Sequence, residues 1–419
     1  MKKITDHLKV LKKHGSLLTI AAILVTTGNT SALAEAGVNK DRIIIGGVMD
    51  LEGASQALGQ GMKLGISTAL SGKRVKGRTI EYITLNDSYN PTKTRGATEE
   101  LIQRGVFALL GNVGTPTAAA SLPVLADADT PAVGFFTGAG LLRPGKGDIV
   151  NYRASYVQET AAVISAGLQA GLKPAEICAY VQNDGYGMAG IAGVKSALRG
   201  EPGSSEIIKM LDQISSFKGQ NPYRNGIGPV GVYTRNTFTA VNGYLSLKEW
   251  EAKSGSKCRL VVTVGAYRSI ANFIGYAELK GEDWLYSAVS FTGAENLRLI
   301  LADYNVTSNV IVTQVVPPLD SKLPIVQEAR AALGADLSYV TLEGYIVGKF
   351  FLKVMETMPG NNITRSTFLS TIQGNTFDIG GVKLDFSEDN QGSDLVIATY
   401  LDNGAYQVIP LDGLTQLIR

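Results

Sequence analysis

Short apolar segments alternate with amphipathic segments along most of the chain. The first apolar run, at 42–49, is followed by a segment in which Met62, Ile66 and Leu70 recur at helical spacing. This alternation predicts repeated β-α-β units and a parallel sheet. Further strands are predicted at 79–85, 106–110, 131–136, 177–182, 232–234, 260–264, 284–289 and 310–315, and further helices around Leu101 and at 117–127, 157–168 and 188–198.

The alternation is interrupted in three places. A turn-rich stretch at 141–148 precedes a fresh βα series, which indicates entry into a second lobe. The periodicity lapses at 201–231, which predicts a long irregular insertion. Near the C-terminus, strands at 381–386, 394–400 and 405–409 follow one another without helices, which predicts antiparallel edge structure. The fold class is therefore α/β, with two doubly wound parallel-sheet lobes.

The first 34 residues have the order of a secretory signal. Lysines come first, then the apolar core 17–25, then the small-residue pattern Ala32-Leu33-Ala34. A retained membrane anchor is the alternative, but the core has about half of the ~20 residues that a spanning helix needs. Cleavage after Ala36 also fits. Because no cysteine lies near either position, we expect a freely diffusing protein exported to the periplasm rather than a lipid-anchored one.

Composition excludes several functions. The only histidines, His7 and His14, lie in the predicted signal, so the remaining chain lacks the commonest general base and metal ligand. The signal carries five lysines against one aspartate, and the 34 basic and 36 acidic residues that remain leave a net charge of −2. A nearly neutral chain without basic runs does not favour nucleic acid. We expect no enzyme activity, no metal and no cofactor.

Two cysteines begin apolar runs that are predicted strands. Cys178 starts the run at 177–181, and Cys258 precedes the run at 260–264. Neighbouring parallel strands could bring them together, although two free buried cysteines are the commoner arrangement. The sequence leaves a disulfide open.

Loops that follow the strands are the expected place for a ligand, because open α/β sheets bind ligands outside the carboxyl ends of their strands. These loops are rich in glycine, hydroxyl and aromatic residues and poor in paired carboxylates, which favours hydrogen bonding and stacking over acid-base chemistry. No Gly-x-Gly-x-x-Gly follows Gly46-Gly47, and no P-loop occurs. The loops lie at 50–61, 111–117, 136–140, 183–187, 265–269 and 290–296.

Two of these loops carry alternative interpretations. Gly111–Thr117 opens a helix whose free N–H groups could hold an anionic group, although capping by Thr115 with Pro116 at the first helical position explains the sequence equally well. Asp184-Gly185 supplies a turn that puts Tyr186 at the sheet edge. Tyr186 could contact a ligand or simply pack beside the helix.

The order and spacing of several motifs resemble the exported solute-binding proteins of ABC transporters for branched-chain amino acids and amides, the type I periplasmic binding fold that includes the leucine/isoleucine/valine-binding protein. The resemblance covers the chain after residue 34 except 201–231. It rests on Arg42–Gly46, Asp50–Gly53, Asn86-Asp87-Ser88 with Pro91, Gly111–Thr115, Tyr152–Ser155, Asp184–Gly187, Gly265-Ala266-Tyr267 and Leu342–Tyr345.

The resemblance implies two lobes joined by three chain crossings, the first at Tyr152–Ser155, that close over a small molecule and present it to a membrane permease. It implies lobe I at 41–155 with 316–378 and lobe II at 156–315 with 379–419. We expect a monomer. The implied ligand-binding residues, with neighbours from the same loops, are Leu58, Val113, Gly114, Thr115, Phe136, Thr137, Gly138, Ala139, Tyr186, Tyr267, Arg268, Phe291 and Thr292.

One family feature does not carry over. Where an acid that binds a ligand ammonium group should fall, this chain has Ser290-Phe291-Thr292. A buried ammonium without a counter-charge is costly, so an amide or an aromatic or amphipathic carboxylate is favoured over a simple branched-chain amino acid. Either Arg153 or Arg268 could face a carboxylate, or both could be surface or hinge residues.

A site of this composition predicts little dependence of binding on pH between 6 and 8. A marked dependence would indicate a perturbed carboxylate such as Asp184 or Glu295. The alternatives to a transport-linked binding protein are a sensor subunit of the same fold that feeds a membrane receptor, and an exported enzyme, which the missing histidine and nucleotide motifs disfavour.

Overall fold

The computed structural model describes residues 35–145, 147–219 and 221–418. The predicted secretory signal lies outside these residues. The described chain forms two large β-sheets flanked by helices, together with a small two-stranded sheet, and the parallel strands predicted from the alternating pattern dominate both large sheets. The predicted α/β fold class with two lobes is confirmed. Among the described helices, none combines the length and the apolar character that crossing a membrane requires.

The first sheet belongs to lobe I. Its strand order is β2-β3-β1-β4-β5-β6, parallel except for the short β2. The strands are Arg42–Met49 (β1), Arg74–Val75 (β2), Arg78–Asn86 (β3), Leu109–Leu110 (β4), Ala132–Val133 (β5) and Ile149–Val150 (β6). The helices packed on this lobe are Gln56–Leu70 (α1), Pro91–Gln103 (α2), Thr115–Asp127 (α3), Pro324–Leu333 (α10), Tyr339–Thr357 (α11) and Arg365–Ile372 (α12). The buried face of α1 includes Met62, Ile66 and Leu70, as the periodicity predicts.

The second sheet belongs to lobe II and has the order β15-β14-β11-β10-β9-β7-β8. Its strands are Ile177–Gln182 (β7), Val230–Tyr233 (β8), Leu260–Val264 (β9), Leu285–Ala288 (β10), Val310–Gln314 (β11), Ile397–Asp402 (β14) and Ala405–Ile409 (β15). The helices of this lobe are Tyr156–Gln169 (α4), Gly185–Leu198 (α5), Ser205–Ser216 (α6), Val241–Ser254 (α7), Tyr267–Leu279 (α8), Ala294–Asp303 (α9) and Leu414–Ile418 (α13). The last two strands are the antiparallel edge that the C-terminal pattern predicts.

The chain passes between the two sheets three times, after β6, after β11 and before β14. These crossings are hydrogen-bonded to one another. The N–H of Gly392 donates to the carbonyl of Asn151 at 2.9 Å, and the N–H of Asn151 donates to the carbonyl of Asn390 at 2.8 Å. The Tyr152 hydroxyl donates to the carbonyl of Val315 at 3.1 Å. The crossings therefore form one connected hinge.

The expectation of an irregular insertion at 201–231 is wrong in its first half. Residues 205–216 form α6, which buries Ile207, Leu211 and Ile214 on one face. This i, i+4, i+7 spacing is the ordinary signal of an amphipathic helix, and the turn residues on either side of it hid the helix. The following loop is anchored by the buried Arg224, whose guanidinium donates to Asn183 Oδ1 at 2.6 Å.

The strand expected at 381–386 does not join the edge of lobe II. Residues Thr376–Ile379 (β12) and Val382–Asp385 (β13) form a separate hairpin. Its Phe377 and the following Phe386 lie 5.4 and 5.3 Å from the ring of Phe350 on α11. The hairpin therefore packs on lobe I, and the last crossing falls later than residue 379.

Cys178 and Cys258 form a disulfide, with Cα atoms 5.7 Å apart. The pairing of β7 with β9 brings them together, because Cys178 lies opposite Val261 in this parallel register. The commoner arrangement of two free cysteines does not apply. The bridge links residues 80 positions apart at the end of the strands remote from their carboxyl edge.

Candidate functional site

Loops at the carboxyl ends of both sheets meet between the lobes. In lobe I, Val113 pairs with Phe136 in an isolated parallel bridge, and the hydroxyls of Thr115 and Thr137 lie 2.6 Å apart. From lobe II, the Tyr267 hydroxyl reaches the backbone N–H of Ala57 at 3.5 Å. The two lobes are therefore in contact at the predicted ligand loops.

Two glycines of lobe II mark how closely the lobes approach. A Cβ on Gly185 would lie 3.8 Å from the methyl group of Thr115. A Cβ on Gly293 would lie 2.7 Å from a methyl group of Leu58, so only glycine fits there without displacing the neighbour. These contacts describe a closed arrangement of the cleft.

The start of α3 differs from the capping expected from sequence. Gly114, with φ of 104°, is the N-cap, and Thr115 and Pro116 are the first two helical residues. Thr115 therefore does not cap the helix, and its hydroxyl bonds Thr137 instead. Gly114 adopts a φ that L-residues rarely reach, and a Cβ there would meet the Tyr89 ring at 2.3 Å.

Aromatic rings from both lobes form a buried cluster around Phe291. Its ring centroid lies 4.8 Å from that of Tyr186, 5.3 Å from Phe136 and 6.1 Å from Tyr89. Tyr156 adds a further ring, 5.0 Å from Tyr186. All five side chains are buried. Such a cluster can pack against the apolar or aromatic body of a small molecule.

A completely buried arginine lies beside this cluster. Arg153 comes from the first hinge crossing, and its guanidinium carbon lies 4.6 Å over the ring of Phe136. One of its amino groups donates to the Ser290 hydroxyl. Its Nε lies 3.4 Å from Glu343 Oε1, an ion pair without a hydrogen bond.

Helix packing brings Glu343 to this position. It lies in the second turn of α11, whose start is fixed by a capping box at Ser338. Gly65 of α1 and Gly344 of α11 allow the two helices to approach closely, since a Cβ at Gly65 would meet the carbonyl of Thr341 at 2.1 Å. Any larger residue at Gly65 would force the helices apart and move Glu343.

Glu159, on α4, is a second buried carboxylate and has a full set of partners. The Ser290 N–H and the Thr313 hydroxyl donate to Oε2 at 2.7 and 2.6 Å, and the Ser290 hydroxyl donates to Oε1 at 3.0 Å. Burial raises the pKa of Glu159, against the lowering effects of Arg153 and these hydrogen bonds. Glu159 thus orients Ser290, which in turn contacts Arg153.

Glu343 differs from Glu159 in having few partners. Burial raises its pKa to about 7, and the nearby Arg153 opposes this increase only in part. A carboxyl group with this pKa changes its charge near neutrality. The sequence predicts little pH dependence of binding and names Asp184 and Glu295 as the carboxylates that a dependence would indicate. Burial raises the pKa of both, and Glu343 is a further carboxylate of this kind.

Several buried polar atoms in this region have no hydrogen-bond partner among the described residues. They are Nε and Nη1 of Arg153, the Tyr156 hydroxyl, the Thr292 hydroxyl and Oε1 of Glu343. Leaving a buried polar group unpaired costs about 1 to 3 kcal/mol. These atoms lie beside the aromatic cluster, where loops of the two lobes meet.

A further set of contacts joins the lobes at the outer side of the cluster. The Asn236 side-chain amide of lobe II donates to the carbonyls of Ser88 and Tyr89 at 3.4 and 3.5 Å. Gln182 Nε2 donates to the Tyr89 hydroxyl at 3.2 Å. Ser88 and Tyr89 have φ of 51° and 54°, a backbone conformation that costs non-glycine residues about 1 to 3 kcal/mol each.

The structure brings most of the predicted ligand residues together but not all. Arg268 is exposed on α8, whereas the alternative Arg153 is buried in the cleft. Sequence reasoning missed Tyr89, Tyr156, Glu159 and Glu343. Glu343 lies inside the motif Leu342–Tyr345 that carries the resemblance, which was the available signal for it.

Comparison with known proteins identifies the family. Residues 42–205 match the family model described as periplasmic binding protein. A structure from Rhodopirellula baltica SH 1, titled a possible leucine/isoleucine/valine-binding protein, is 32% identical, covers 91% of this chain and 99% of its own, and has a TM-score of 0.79. The chain belongs to the periplasmic binding protein family. No curated protein matches by sequence.

More distant structures share the fold. A branched-chain amino acid ABC transporter structure from Thermus thermophilus with bound valine is 16% identical, covers 91% of this chain and all of its own, and has a TM-score of 0.69. A solute-binding protein of an ABC transporter from R. palustris, in complex with 4-hydroxybenzoate, is 17% identical, with 88% and 96% coverage and a TM-score of 0.68. The resemblance seen in the sequence motifs is confirmed.

Proposed function

We propose that this protein captures a small organic ligand between its two lobes and delivers it to an ABC permease. The ligand is amino-acid-like, an amide, or an aromatic or amphipathic carboxylate. The protein is exported to the periplasm and carries out no chemistry on the ligand. The observation that carries the proposal is the group of buried polar atoms on Arg153, Tyr156, Thr292 and Glu343 that find no partner in the described part of the chain and lie beside an aromatic cluster.

The two parts of the cleft suit the two parts of such a ligand. The rings of Phe136, Tyr186 and Phe291 offer apolar surface to its body. The hydroxyls and the guanidinium offer hydrogen bonds to its polar head. Ligand sites of small-molecule binding proteins generally combine mostly apolar walls with a few such polar groups.

Delivery to a permease is supported by the relatives whose titles name ABC transporters, including the valine and 4-hydroxybenzoate complexes. Ligand binding would stabilise the closed cleft, because groups from both lobes contact the same molecule. A permease that recognises the closed arrangement would then select the loaded protein.

A thermal-shift screen tests the proposal. The exported form is heated with amino acids, amides and aromatic carboxylates, and a ligand present at a hundred times its dissociation constant stabilises the folded state by about 2.7 kcal/mol. Tyr267→Ala is the matched variant, because Tyr267 contacts Ala57 across the cleft. Removing this side chain should reduce the shift in melting temperature that a ligand produces. A screen in which no compound shifts the midpoint, together with turnover of any of them, would contradict the proposal.

A further inference from the structure

The polar groups of Arg153 and Glu343 are arranged so that neither satisfies the other. Nε of Arg153 lies 3.4 Å from Glu343 Oε1, yet both atoms, and Nη1 of Arg153, lack a hydrogen-bond partner among the described residues. Two oppositely charged groups this close in a buried site would ordinarily form a hydrogen bond. Among the described residues, Arg153 therefore has two unused donors and Glu343 an unused acceptor, which is the set of groups that a ligand with both an acceptor and a donor would complement.

The charges around this pair are balanced. Glu343 is faced by Arg153 from the first crossing, by Glu159 from α4 and by Arg143 from the loop before β6, with the neutral Tyr152 beside it. Arg143 has its guanidinium occupied by the carbonyls of Ala139 and Arg153 and by the side chain of Gln391. When both carboxyl groups are ionised, which for Glu343 means above about pH 7, two guanidinium groups therefore oppose two carboxylates.

A charged ligand would disturb this balance. Adding a single carboxylate to the buried cluster leaves an uncompensated negative charge, which is costly where water is excluded. Adding a group without net charge does not. A primary amide accepts hydrogen bonds through its oxygen and donates them through its nitrogen. The head of an amino acid accepts through its carboxylate and donates through its ammonium group, and these two charges cancel.

We infer that Arg153 and Glu343 together select ligands whose head group has no net charge, accepts a hydrogen bond from Arg153 and donates one to Glu343. Glu343 excludes simple carboxylates unless it takes up a proton. Glu343 is thus a specificity-determining residue for the binding site, and this inference rests on the proposed function. It also supplies the acid that the sequence motifs do not provide near Ser290.

Proton uptake gives the inference a measurable signature. A carboxylate ligand requires neutral Glu343, and burial raises the pKa of Glu343 to about 7. Above that pH each unit should weaken carboxylate binding about tenfold, whereas amide binding should not change.

Two isosteric pairs of probes test this by calorimetric titration: 3-phenylpropanamide against 3-phenylpropanoate, and 4-methylpentanamide against 4-methylpentanoate. With the wild-type protein at pH 8.5, we expect an amide to bind at least tenfold more tightly than its carboxylate. At pH 6 the carboxylate should gain at least tenfold, and the amide should stay within twofold. This comparison needs no variant, so it holds even where a substitution impairs folding.

Glu343→Gln is the diagnostic variant, and Glu278→Gln is the control. Glu278 lies on α8, outside the cleft cluster, and burial raises its pKa as well. Glu343→Gln should abolish the pH dependence of carboxylate binding, and Glu278→Gln should retain it. Equal affinity for amide and carboxylate at pH 8.5, or an unchanged pH dependence in Glu343→Gln, would overturn the inference.

Failure of all four probes at millimolar concentration would also overturn the inference. It would not by itself remove the proposed function. That function stands if native mass spectrometry detects a different small molecule co-purified with the protein, and falls if neither a probe nor a co-purified molecule is found.

Discussion

Arg153 and Glu343 face each other with Nε and Oε1 3.4 Å apart, and neither side chain has more than 3% of its surface exposed. One comes from the hinge and the other from α11 of lobe I. The guanidinium also contacts Ser290 of lobe II. The hinge, both lobes and the proposed ligand cleft thus meet at one buried ion pair.

Replacing Arg153 with methionine should abolish ligand binding and destabilise the protein. The change leaves the buried Glu343 without its ion-pair partner, and removing one partner of a buried ion pair costs about 3 to 5 kcal/mol. Denaturant unfolding measures the stability, and calorimetry measures the affinity. Arg268→Met is the matched control, because Arg268 is exposed. Equal effects of the two substitutions would contradict the assignment of Arg153 to the site.

The stability of the protein should fall as pH rises from about 5 to 8 because of Glu343. Its folded-state pKa of about 7 exceeds the ordinary 4.5, so the folded state retains a proton that the unfolded chain releases. The contribution is fully present below pH 4.5 and is lost as pH rises through 7, by up to about 3 kcal/mol. Unfolding curves of wild type and Glu343→Gln should therefore diverge over this window. Parallel curves would show that Glu343 titrates normally.

Closing of the lobes should depend on Asn236. Its amide bonds the carbonyls of Ser88 and Tyr89 across the cleft, and its φ of 60° is one that glycine also adopts. Asn236→Gly keeps the backbone and removes only the amide, at a cost of about 0.5 to 1.5 kcal/mol. We expect a few-fold loss of ligand affinity and a larger open population by small-angle scattering. Asn403→Gly, at φ of 48° in the β14–β15 turn, should leave both unchanged.

The disulfide should stabilise lobe II without affecting the site. Closing a loop between residues 80 positions apart corresponds to about 4.5 kcal/mol in the chain-entropy model. Replacing both Cys178 and Cys258 with serine should lower the melting temperature by a corresponding amount and leave affinity unchanged. A reductant should destabilise the wild type alone, and a parallel loss of affinity would show that the bridge supports the cleft.

Local periodicity is enough to predict most of the fold. The strands β1, β7 and β9 fall at or within a residue of their predicted limits, because apolar β-branched runs between turns have few alternatives. The helix α6 was missed although Ile207, Leu211 and Ile214 have helical spacing. The sequence pattern places the strand at 381–386 in lobe II, whereas β13 pairs with β12 on lobe I, because a strand pattern does not specify its partner.

The site was predictable only where it rests on loops after strands. Thr115, Phe136, Tyr186 and Phe291 lie together because the carboxyl ends of parallel strands share an edge. The ion pair was not predictable in this way. Arg153 and Glu343 come from a hinge crossing and a helix far apart in the chain, and burial of charged side chains contradicts their usual preference for the surface.

Native mass spectrometry tests ligand capture between the lobes most directly. The wild-type protein and Arg153→Met are both purified from cells, and their small molecules are released by denaturation. We predict one small molecule bound per wild-type chain, with a head group of no net charge, and its absence from the Arg153→Met protein when that protein is folded. Equal occupancy of both proteins by the same molecule would contradict the proposed site between the lobes.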